Sequence, residues 1–94
     1  MRVKAVFIQE YYKAIGKFNI ELEVEEGSTV MDLILYIDSK IYPGFKDLVL
    51  EGDKLRYPVE IAVNGRRVDF LNGLDTRLSD GDKILFSPRA LFIV

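Results

Sequence analysis

Few residues in this chain can do chemistry, and their spacing excludes most reactions. Asp75, Asp80 and Asp82 crowd one short stretch, "GLDTRLSDGDK". A calcium loop needs alternating oxygen ligands closed by a bidentate Glu. That spacing and that Glu are missing, so the three acids are assigned to turn capping. Tyr11, Tyr12 and Tyr36 have no base to serve them, because the sequence holds no His. It holds no Cys either, so neither a thiolate nucleophile, a disulfide nor a zinc site is expected. No nucleophile–base pair or phosphate loop is present. Two features are left. Arg66-Arg67 could pair with a partner's carboxylates, although such a pair is more often simply solvated. The sequence closes on "SPRALFIV", apolar where frayed polar residues are usual. Independent enzymatic activity is not expected, nor is any cofactor or metal.

The elements that hold these residues follow from periodicity. "RVKAVFIQ" is rich in β-branched and aromatic residues and is short enough for a strand. "FNIELEVE" alternates, with Phe18, Ile20, Leu22 and Val24 on one face and Asn19, Glu21, Glu23 and Glu25 on the other. "EYYKAIGK" connects the two and has room for a helical turn. In "EEGSTVMDLILYIDSKIYPG", Thr29 and Asp32 fit a capping box. Val30, Leu33, Ile34, Ile37 and Ile41 form one apolar helical stripe, and Pro43-Gly44 stops the helix. "FKDLVLEGDKLRY" has room for a short turn or strand.

"PVEIAVNGRRVDF" carries the sharpest local signal. Val59, Ile61 and Val63 alternate up to Asn64-Gly65, the pair suited to a type I′ hairpin turn, with Val68 and Phe70 expected on the returning strand. "KILFS" is the last strand. One helix must therefore cover one mixed sheet of four to five strands, an α+β domain. If Val3, Ala5 and Phe7 face that helix, Lys4, Val6 and Ile8 face away. Leu85 does the same if Ile84 and Phe86 are core. Val6, Ile8 and Leu85 are then expected to form an exposed apolar patch leading into the tail.

The chain has 94 residues, which argues for a single domain, 1–94, since two pieces would each be too small to bury a core. A net charge of −2 with scattered Lys and Arg argues against a nucleic-acid surface. The apolar runs fall well short of the ~18 residues a membrane span needs. A cytoplasmic location is expected.

The stretches "EEGSTVMDLI", "YPGF", "VNGRRV" and above all "GLDTRLSDGDKILFSP" resemble the ubiquitin-like β-grasp fold. More narrowly, they resemble the MoaD/ThiS sulfur carriers, of the molybdopterin synthase small-subunit type. In that family the chain ends Gly-Gly after a proline-containing tail. An activating enzyme adenylates the terminal carboxylate, which becomes a thiocarboxylate and donates sulfur. Glycine suits the narrow channel that the tail must thread, because it has no Cβ. Counting from Gly81-Asp82, the family's spacing puts the diglycine near Phe92-Ile93 or one residue later. This sequence places bulky residues there, and of the family's proline pair it keeps Pro88.

The resemblance therefore implies a partner-binding module with the carrier chemistry lost. Its tail contacts would be Pro88, Arg89, Leu91, Phe92, Ile93 and Val94, and its sheet-face contacts Val6, Ile8 and Leu85. The implied protein partner is a molybdopterin-synthase large-subunit-like protein, an activating-type enzyme or a cofactor-related oxidoreductase. Self-association through the apolar patch is also open. The alternative is an authentic sulfur carrier with an atypical C-terminus.

Overall fold

The computed structural model describes residues 1–89. Its main sheet is built from β1 (Arg2–Phe7), β2 (Asn19–Glu23), β5 (Val59–Val63), β6 (Arg66–Arg67) and β7 (Lys83–Pro88), in the order β2-β1-β7-β5-β6. β1 and β7 are parallel, and the other neighbours are antiparallel. The helix α2 (Val30–Lys40) buries Val30, Leu33, Ile34 and Ile37. This is the mixed sheet with one covering helix that the alternation and the single apolar stripe require, the β-grasp arrangement. Among the described residues no helix is long and apolar enough to cross a membrane.

Local chemistry fixes the ends of these elements. Thr29 Oγ1 accepts from the Asp32 N–H (3.2 Å), and Asp32 Oδ2 accepts from the Thr29 N–H (3.0 Å), closing the expected capping box. Asn64 and Gly65 have φ of 52° and 86°, as a type I′ turn demands. Asn64 also uses its side chain: Nδ2 donates to Asp82 (2.8 Å), and Oδ1 accepts from the Lys83 N–H (2.9 Å). The hairpin is thereby tied to the start of β7. Asp82 caps its turn, accepting from the Ser79 N–H (2.8 Å). Asp80 accepts from the distant Arg2 N–H (2.8 Å) and so ties the turn to the start of β1, and the Asp75 side chain caps neither.

The core lies between the inner sheet face and α2. Phe7 and Phe86 stack across neighbouring strands with centroids 5.3 Å apart, and Phe45 meets both rings edge-on at 5.8 and 5.2 Å. Offset and edge-to-face contacts of this kind add to the area the rings bury. Phe45 comes from "FKDLVLEGDKLRY", which folds as the short helix α3 (Phe45–Val49) followed by a small hairpin of β3 (Leu50–Glu51) and β4 (Lys54–Leu55). The helical turn in the first connection is α1 (Glu10–Ile15), which buries Tyr11.

Three expectations about the core need correction. Ile41 is 40% exposed because α2 ends at Lys40, so the stripe stops one turn early. Phe18 is 60% exposed, since it precedes the edge strand β2, where it stacks on Tyr12 at 4.4 Å instead of entering the core. Phe70 is 77% exposed. β6 covers only Arg66–Arg67, and the chain then turns into a single 3-10 turn at Val68–Phe70, which buries Val68 alone.

Candidate partner-binding face

Strand alternation separates the two faces of β1 and β7. Val3, Ala5, Phe7, Ile84 and Phe86 are buried on the helix side, whereas Val6 and Leu85 are half-buried on the other. The register aligns them: Val6 lies opposite Leu85 on one side of β7, and Ala62 lies opposite Leu85 on the other. Three apolar side chains from three adjacent strands therefore form one row. That row floors an open hollow of about 530 Å³, whose rim includes Asn64, Gly65 and Lys83. The row is flanked by polar residues, Asn19 opposite Val6 and Arg67 opposite Ala62.

Not every residue singled out in the sequence reaches this hollow. Val6 and Leu85 line it, but Ile8 does not; it stands one residue past β1, half-buried, its N–H donating to Phe86 O (3.2 Å). Ala62 and Lys83 line it without having been marked in the sequence. The alternation of "VEIAV" carried the signal for Ala62, since Ile61 and Val63 point inwards and the residue between them must point out.

Where the chain leaves the sheet, the contacts are polar. Pro88 pairs with Val59 at the end of β7, and the Arg89 N–H donates to Pro58 O. The Arg89 guanidinium lies 3.7 Å from Asp69 and 5.8 Å above the Tyr57 ring. Asp69 is shared with Arg67, whose Nη2 is 3.0 Å away, and Arg67 Nε sits 3.1 Å from Glu60 without the alignment of a hydrogen bond. Arg67 also covers the Phe70 ring at 5.0 Å. One member of the arginine pair, Arg67, thus lies against carboxylates of its own chain. Leu91, Phe92, Ile93 and Val94 lie outside the described residues.

The acids Tyr11 and Glu23, both displaced from their ordinary pKa values, lie away from this hollow. Burial pushes the Tyr11 phenol up to about 12, with Glu10 adding to the shift, so it stays protonated at neutral pH and serves packing. Glu23 is held below the usual carboxylate range, first by its hydrogen bond to Arg2, but it lies on the far edge strand. Three apolar side chains with Asn64, Gly65 and Lys83 at the rim can recognise a surface.

Comparison with known proteins agrees with this architecture. The model described as the ThiS family matches residues 6–88. Small archaeal modifier protein 3 of Haloferax volcanii is 27% identical over 88 residues, covering 94% of this chain and 95% of that protein. The solution structure of small archaeal modifier protein 1 from Methanosarcina acetivorans is 30% identical with a TM-score of 0.78, covering 94% of this chain and 92% of that one. A Pyrococcus furiosus protein named as a candidate molybdopterin converting factor subunit 1 is 30% identical, with a TM-score of 0.76 and coverage of 95% and 98%.

Proposed function

This chain belongs to the ThiS family of ubiquitin-like sulfur carriers and modifiers, and on that premise we propose that it is a cytoplasmic, non-covalent binding module for a protein partner. The observation that carries the reading is the in-register row of Val6, Leu85 and Ala62. It is an apolar strip with a polar rim, the composition of an interface core. Positions 92–94 hold Phe, Ile and Val, where the spacing from Gly81-Asp82 puts a carrier's diglycine. Side chains of that bulk oppose passage through a channel shaped for bare backbone. The same residues suit insertion into an apolar groove. The proposed partner is an activating-type enzyme, or a large subunit or oxidoreductase linked to molybdopterin, and the name of the Pyrococcus furiosus relative supports the molybdopterin link.

The test incubates the chain with an activating enzyme of the ubiquitin-activating type, ATP and a sulfur donor, and reads the intact mass. The expected result is complex formation with no exchange of oxygen for sulfur. Mass gain by that exchange would instead establish the second reading, an authentic sulfur carrier. That reading is favoured by the relatives' names and by the proline kept at position 88.

A further inference from the structure

Among the described residues the main sheet has two edges, and they differ. One is β6, only two residues long; the other is β2, five residues long. Phe7 donates its N–H to Phe18 O (2.7 Å), and Val24 donates to Met1 O (2.8 Å). Bonded and non-bonded pairs alternate along an antiparallel ladder. Phe18, Ile20, Leu22 and Val24 therefore direct their backbone groups at β1, and Asn19, Glu21 and Glu23 turn theirs to the open side. Where β2 ends on that side, a groove of about 700 Å³ opens between residues 23–25 and α2. Val24, Leu35 and Tyr36 supply its apolar lining, and Glu23, Glu25 and Asp32 its charge. Leu35 is 43% exposed, although Leu33 and Ile34 beside it are fully buried.

We infer that this groove accepts an extended basic segment of a partner protein as an added strand, one that alternates Lys or Arg with Val-type side chains. β1 already shows which pattern fits. Arg2 lies opposite Glu23 and Lys4 opposite Glu21, while Val3 and Ala5 lie opposite Leu22 and Ile20. Arg2 Nε is 3.1 Å from the Glu23 carboxylate. A strand of the same alternation on the open side meets those glutamates on its outer face and Leu35 and Tyr36 on its inner face. A second copy of the chain is a poorer occupant. Pairing β2 with β2 sets glutamates against glutamates, and like charges directly opposite destabilise a ladder. The inference concerns the sheet edge, so it stands or falls independently of docking at Val6 and Leu85.

The test titrates a capped synthetic peptide, alternating Lys and Val, into the isotope-labelled full chain and follows the amide resonances. Saturable shifts are expected at residues 19–25 and at Leu35 and Tyr36. Binding should weaken by roughly tenfold for Leu35→Asp, for the double change Glu21→Gln with Glu23→Gln, and for a peptide N-methylated at alternate amides. Should Leu35→Asp unfold the chain, Leu35→Ser replaces it, and the N-methylated peptide requires no variant at all. Shifts that never saturate, that centre on Val6 and Leu85, or that survive N-methylation overturn the inference. The glutamates would then be charges that keep an open edge from aggregating.

Discussion

On the inner face of the sheet, Val3, Ala5, Phe7, Ile84 and Phe86 are at most 1% exposed, while Val6 and Leu85, drawn from the same two strands, stay half-open on the outer face. The difference is coverage. α2 and α3 bring Leu33, Ile34, Ile37 and Phe45 over the inner face, whereas the outer face has the open hollow bordered by Asn64, Gly65 and Lys83. Apolar residues on the inner face are explained by folding. Those on the outer face contribute less to stability than their type suggests, which is why function is sought there.

Several substitutions can break or sharpen that contrast. Phe86→Ala should have the largest effect, lowering stability by about 3–5 kcal/mol in chemical denaturation, because it leaves a cavity between Phe7 and Phe45. A cost as small as that of an outer-face change would collapse the distinction. Gly65→Val should cost about 2 kcal/mol, since Gly65 sits at φ 86° and a β-branched residue is strained there. The damage should be seen as faster amide exchange around Ala62 and Lys83, with the inner core less affected.

Alkali tests the inner face by another route. The folded-state pKa of Tyr11 is raised from 10.0 to about 12, so its contribution is fully present below pH 10 and is lost as pH rises through about 12. Denaturation midpoints should fall over that window, and Tyr11→Phe should flatten the fall. Leu85→Ser should have the smallest effect on stability, under about 1 kcal/mol, yet abolish binding of an activating-type partner in calorimetry. Binding that persists unchanged would remove the outer face from the proposal.

How far the fold was legible depended on how local its cause is. Thr29 and Asp32 are three residues apart and exchange both hydrogen bonds within one turn, so their types sufficed. The φ > 0 preference of Asn64-Gly65 is equally local. Ile41, Phe18 and Phe70 were misplaced because each pattern was carried beyond the bounds of its element. The ends are set by neighbours: the turn after Lys40, the edge position of β2, and the 3-10 turn at Val68. Phe45, which closes the aromatic core, lay in a stretch whose periodicity was too short to separate helix from strand.

Sequence alone determined the faces of β1, β2, β5 and β7, the helix cap, the hairpin turn and the absence of any His or Cys chemistry, because these follow from alternation, backbone preference and residue type. Only the tertiary structure decided that Ala62 and Lys83 join Val6 and Leu85, that Arg89 meets Asp69 and Tyr57, and that β2 is the long open edge. These depend on which distant strands become neighbours and in what register. That choice is made by the packing of the whole core, and no short stretch of residues contains it.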